Sequence, residues 1–318
     1  MINFLKSDLF LMRKMKIVYV LPIIFLLASL LTGFMYIKMN LAVLGMGEVY
    51  EITYPDEESS YSDMYADSLK SSFKAGFNSG AEIGGLETGE EEEEISFGKL
   101  LLSGGQFYEK PVEEFCDMLT SSSTTLLLCG LFSAFLFAID IRGGFRKNIT
   151  KINPNRWTAF LSKCLVVCIY DALFLVFAFI TATLNMALFA QKLYFEPSGA
   201  FVVSMLIKYL ILVAFSMFIA LVAVFTKSTA LSLIVDFILG LGVLDIVIML
   251  IDLFFKFVVF KNSDFEFSLN DYILTGLNAS VYSGSADKTL IRAAVVSVVV
   301  IGLSTFYAGY LNQKRDIH

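Results

Sequence analysis

The chain has 318 residues, 57% of them apolar and 17% charged, with a mean hydropathy of +0.71 and a net charge of −6. Soluble domains hold roughly 45–50% apolar and about 25% charged residues and lack uncharged runs of about 20 residues, so this composition excludes a water-soluble globular protein. The acidic balance argues against nucleic-acid binding, which needs a basic face. Continuous apolar runs argue against a β-barrel, whose strands alternate. The expected class is an all-α integral membrane protein.

Residues 1–16 form the first predicted element, a cytoplasmic amphipathic helix. Phe4, Leu5, Leu11, Met12 and Met15 share one side and Asn3, Lys6, Ser7, Arg13 and Lys14 the other, a pattern suited to the headgroup plane. Asp8 and Lys16 interrupt the apolar side and Phe10 the polar one. Contact with membrane lipid suffices to explain this element.

Six spans are then expected, at 17–37, 118–139, 164–190, 201–225, 230–255 and 293–311. The first is 21 uncharged residues, which at about 1.5 Å per residue crosses a hydrocarbon core of about 30 Å. Between the first two spans lies an acidic extracellular segment, 38–117, with 18 acidic residues and 5 lysines, a net charge of −13. At its centre Glu90, Glu91, Glu92, Glu93 and Glu94 follow the glycine-rich stretch 76–89. Such a run reads as a solvated loop whose negative field concentrates cations. The flanks 95–107 and 112–119 carry apolar residues at helical spacing, so short helices are expected to lead into the second span.

Lysine and arginine fix the expected orientation. Lys6, Arg13, Lys14 and Lys16, then six basic residues from Arg142 to Lys163, then Lys227, Lys314 and Arg315 all fall on one side if there are six spans. That side holds 13 of the 24 basic residues against Asp8, Asp140 and Asp316, which places both termini, including the tail 312–318, in the cytoplasm of a multi-pass cell-membrane protein.

Within the cytoplasmic loop 140–163, Phe145, Ile149 and Ile152 are spaced to share one face of a short basic helix, which Pro154 ends. Trp157 follows at the expected membrane interface. A positive membrane anchor explains the charge by itself.

A charge near the bilayer centre costs roughly 3 kcal/mol and should face other helices or water. Lys208, Asp236 and Asp245 are therefore candidates for a substrate path. The simpler expectation is structural pairing of Asp245 with Lys208 or Arg292, and of Asp252 with Lys256. On one continuous helix Asp245 and Asp252 share a face, while Asp236 points about half a turn away. Asp171 is the single acid of the third span. Cys129, Cys164 and Cys168 read as packing residues, Cys116 has no cysteine partner in the outer segment, and no metal site is expected.

A phosphate-binding G-x-x-x-x-G-K-[ST] loop, a nucleophile elbow, H-E-x-x-H and C-x-x-C are all absent, so no catalytic residue and no ATPase site is expected in this chain. The order of elements is distinctive: an amphipathic N-terminal helix, a span, a large outer insertion, and a second span ending in Phe137-Ala138-Ile139-Asp140. There follow Gly144-Phe145-Arg146-Lys147-Asn148-Ile149, the interruption Asn153-Pro154-Asn155-Arg156, and Phe160-Leu161-Ser162-Lys163 opening the third span. This resembles the permease subunit of ABC-2 type ABC transporters of Gram-positive bacteria, with the motif match confined to this loop. The resemblance implies that Gly144, Phe145, Arg146, Lys147 and Ile149 belong to a coupling helix that docks on an ABC ATPase subunit carrying ATP and Mg. It further implies a second permease chain, identical or related, and short re-entrant helices in the extracellular region 256–292. Export or clearance of a cationic amphipathic peptide or antibiotic is the function expected. The alternatives are a proton-coupled secondary transporter, in which Asp236 and Asp245 titrate, and a non-transporting membrane immunity or sensor protein.

Overall fold

A computed structural model of the chain describes residues 2–35, 111–142, 156–190, 193–195, 198–254 and 268–314. Glu90 to Glu94, the loop from Gly144 to Ile149, and Lys256 lie outside these residues. Every regular element described is helical, and no strand occurs among the described residues. Four helices are long and apolar enough to cross a membrane, and two bent helix pairs raise the total to as many as six. This is the architecture of an all-α membrane protein.

Helix α1, Ile2–Lys14, ends on Arg13 and Lys14, whose charges suit the carbonyl end of a helix. Two residues later α2, Ile17–Phe34, begins. Its buried residues Leu21, Phe25, Ser29 and Gly33 recur every four positions, so one stripe faces the protein. That stripe packs on α5, Arg156–Asn185, where Phe25 meets Phe174 edge-on at 5.0 Å. A π-helical turn, Met186–Ala190, extends α5.

Part of the apolar side of the N-terminal helix is taken up by the protein itself. Leu5, Leu9, Leu11 and Met12 pack against the protein core, and Asp8 is buried with its Oδ2 accepting a 2.5 Å hydrogen bond from Ser162 Oγ of α5. Asp8 interrupts the apolar side because that side faces a hydroxyl of a neighbouring helix.

The second apolar stretch is two helices. Helix α3, Val112–Ser121, and α4, Ser123–Arg142, meet at a bend of 57°. At the break Ser122 adopts an extended ψ of 143°, and hydroxyls take the places of missing helical N–H donors: Ser122 Oγ at 2.6 Å and Thr125 Oγ1 at 2.9 Å both donate to Leu119 O. The run of hydroxylated residues from Thr120 to Thr125 makes this possible.

Helix α6, Gly199–Thr226, is the central element, capped at its start by Ser198 Oγ, which accepts from Phe201 N at 3.1 Å. It ends on Lys227 in the left-handed conformation, and Ser228 immediately caps α7, Thr229–Gly240. The fifth apolar stretch is also bent, by 53°, before α8, Val243–Phe254. The break falls on Gly242, whose φ of 72° suits a residue without a Cβ. Facing arithmetic between Asp236 and Asp245 therefore does not carry across it.

A short 3-10 turn, Leu269–Tyr272, and α9, Leu274–Ser280, precede α10, Asp287–Lys314. Helix α10 lies along α6 through a row of small residues, Ala293, Ser297, Ser304 and Ala308, which lets the two backbones approach. Burial ranks the spans: 61% of the most apolar window of α6 is inside the protein, against 22% for α2 and 17% for α10. The outer faces of α2 and α10 are thus left for lipid or another chain. At the end where α5 begins, Gly309 leaves room for the Trp157 ring, and Trp157 Nε1 donates to Gln313 Oε1 at 2.6 Å.

Candidate functional site

Lys208 is fully buried in α6, where an unpaired ammonium would be costly. Its three donors are all used: Nζ reaches Asp117 Oδ1 at 2.9 Å, Asp117 O at 2.8 Å and Thr120 Oγ1 at 2.9 Å. Asp117 Oδ2 accepts from Ser283 N at 2.9 Å, and Asn278 Nδ2 of α9 donates to Thr120 O at 3.2 Å. One ion pair therefore ties α3, α6 and the segment before α10 together.

The expected pairing of Asp245 with Lys208 or Arg292 is overturned, because both cations are engaged elsewhere. Arg292 pairs with Asp271, and Asp245 accepts a hydrogen bond from Thr275 Oγ1 of α9. Asp252 accepts from Ser268 Oγ at 2.6 Å and from Leu269 N at 3.1 Å. Asp245 and Asp252, one face of α8, thus hold the two ends of the 268–275 segment. Asp117 was absent from the expected site residues because it ends an acidic stretch. The available signal was its position beside a span, at the same end of the bundle as Lys208.

Next to this ion pair an open cavity of about 720 Å³ is lined by Pro111, Glu113, Glu114, Phe201, Tyr282 and Ser283, among others. Ser283 belongs to both the cavity wall and the Asp117 network. Two acids among aromatic rings suit a ligand that is cationic and partly apolar.

Deeper in the bundle lie Asp171 of α5 and Asp236 of α7, each fully buried, and neither carboxylate has a hydrogen-bond partner among the described residues. Asp236 occupies the space beside Gly130 of α4, where a Cβ would collide with its Oδ1 and stand 2.8 Å from the Phe215 ring. Cys129, the neighbour of Gly130, faces both acids. The three expected path residues Lys208, Asp236 and Asp245 do not converge on one site, since each has different neighbours. All four cysteines are free, and no cluster of three or more metal-ligating side chains occurs among the described residues. The sequence matches no protein-family model and no curated protein.

Proposed function

We propose that the chain is the permease subunit of an ABC-2 type transporter, with six spans, both termini in the cytoplasm, and ATP hydrolysed with Mg on separate ATPase subunits. The observation that carries this reading is the segment between α8 and α10. Its 3-10 turn and α9 fold back into the bundle and bury Thr275, Gly276, Leu277 and Asn278, as short re-entrant helices do in families of this type. The packing of α1 against the base of α5 also supports it, because the helix then braces the end of the bundle from which the 143–155 loop departs. Two permease chains, identical or related, and two ATPase subunits complete the assembly.

The substrate reading is a cationic amphipathic peptide or antibiotic. It is supported by the cavity that places Glu113 and Glu114 beside Phe201 and Tyr282, and by the net charge of −13 on 38–117. Such a field raises the local concentration of cations outside the cell.

Co-purification of the full chain with an ATPase tests the assembly; an active, nucleotide-independent monomer overturns it. Within the assembly, the coupling segment that includes Gly144 places Phe145 and Ile149 in an apolar cleft, with Arg146 and Lys147 at its rim. Burying a Phe is worth about 2–3 kcal/mol and a rim charge about 0–1 kcal/mol, so Phe145→Ala weakens association more than Lys147→Ala. Equal effects would leave only a membrane anchor.

A further inference from the structure

Four polar side chains in one region of the core have unmet hydrogen-bonding groups. They are the carboxylates of Asp171 and Asp236, the Ser216 hydroxyl of α6 and the Tyr170 hydroxyl of α5, all at least 97% buried. Ser216 Oγ and Cys129 Sγ face Asp171 without completing a hydrogen bond, although Ser216's own carbonyl accepts from Ser133 Oγ at 2.6 Å. Above them Phe132 stacks on Tyr170 with ring centroids 3.7 Å apart, which closes the region with apolar surface.

Among the described residues, the titratable groups that face Asp171 are Cys129 of α4, Cys168 and Tyr170 of α5 and Tyr209 of α6, and the one that faces Asp236 is Cys129. None of these is a cation. The salt bridges found among the described residues involve Lys208 and Arg292, and neither reaches this region. An isolated ionised carboxylate in such a place is strongly disfavoured, and a group so placed takes up a proton instead. A protonated carboxyl also supplies an O–H donor, which a Ser or Tyr hydroxyl can accept.

We propose that Asp171 and Asp236 form a proton-binding centre in the middle of the bundle. In this packed conformation each carboxyl holds one proton. When α4 separates from α5, α6 and α7 and water enters, each O–H bond breaks heterolytically, the proton passes to water and the carboxylate is left solvated. Gly130 is part of the device, because its missing Cβ lets Asp236 sit against α4 in the closed state. The centre is independent of the engine that drives the chain, so its failure would leave the permease reading standing.

The test is infrared spectroscopy of the full chain in lipid vesicles at neutral pH, with Asp171→Asn and Asp236→Asn, each of which keeps the shape of a neutral carboxyl. The expected result is a protonated-carboxyl C=O stretch that loses one contribution in each variant and both in the double variant. Asp171→Glu and Asp236→Glu retain and shift the band, which keeps the test decisive if an Asn variant does not fold. Denaturing the vesicle-embedded protein into water-exposed form should release one proton more per carboxyl from wild type than from the matching Asn variant. The absence of a protonated-carboxyl band that responds to these substitutions, with the Asn variants losing carboxylate intensity instead, overturns the proposal. So does a sodium-dependent rise in thermal stability, at constant ionic strength, that disappears in the Asn variants, since this assigns a metal cation to the site.

Discussion

Two regions of the same bundle bury acids completely and resolve the problem in opposite ways. Near the end where α6 begins, Asp117 is answered by Lys208, and the remaining polar atoms are taken by Thr120, Ser204 and Ser283. In the middle, Asp171 and Asp236 have no counter-charge among the described residues, and their neighbours are a thiol, hydroxyls, a phenyl ring and a glycine. The first region is a staple whose value depends on both charges being present. The second tolerates its acids only in neutral form, so removing the charge there should cost little.

The largest expected effect comes from breaking the staple. Lys208→Met leaves Asp117 buried without its cation, and the loss of one partner from a buried pair costs about 3–5 kcal/mol. Adding Asp117→Asn to Lys208→Met should recover more than half of that loss, because the orphaned charge is then removed as well. Unfolding in mixed micelles measures both. If Lys208→Met costs no more than Asp236→Asn, the contrast between the two regions collapses.

The next effect sharpens the other side of the comparison. Gly130→Ala places a Cβ against Asp236 and Phe215, and overpacking of this kind costs about 1–3 kcal/mol. Asp236→Ala removes the nearest colliding atoms and leaves only the Phe215 ring, so in that background Gly130→Ala should cost less. A double-mutant cycle measures this coupling. Strict additivity would mean that Asp236 does not sit where the steric argument requires.

How much of this was legible beforehand depended on whether a residue's role was set locally. Continuous apolar runs reveal helices because every turn must be apolar to sit in lipid, and α2, α5, α6 and α10 were readable in that way. The break at Ser122 was not, because hydropathy does not register hydroxyls closing on Leu119 O. Pairing was less legible still. Lys208 needed a carboxylate at its own depth, and the partner came from a stretch 91 residues away whose acidity suggested solvent. Asp8 illustrates the same point on a smaller scale: a flaw in an amphipathic pattern was the mark of a tertiary contact with Ser162. Asp8→Ala should cost about 1–2 kcal/mol, within the range for losing a hydrogen bond to a charged group and orphaning its donor. Amide exchange should accelerate in α1 well before it does in α6. Uniform acceleration across the bundle would place Asp8 in the global core and remove the idea of a separately docked helix.

The smallest effect belongs to the pair whose partner was expected elsewhere. Arg292 binds Asp271 with side chains 33% and 47% exposed, and its guanidinium lies 5.0 Å from the Tyr272 ring centroid. Solvent screens a pair of this kind, and the measured worth of such pairs is about 0–1 kcal/mol, so Arg292→Ala should fall in that range and shrink with added salt. Had Arg292 been the partner of a buried Asp245, the same change would cost several-fold more and resist salt. Asp245 instead takes its hydrogen bond from Thr275, so Thr275→Val should loosen α9 against α8, while Arg292→Ala leaves α9 in place. Protease cleavage or amide exchange confined to 268–280 distinguishes the two. A salt-insensitive loss in Arg292→Ala, equal to that of Lys208→Met, would place Arg292 among the staples and erase the distinction between a charge held in the core and one held at its edge.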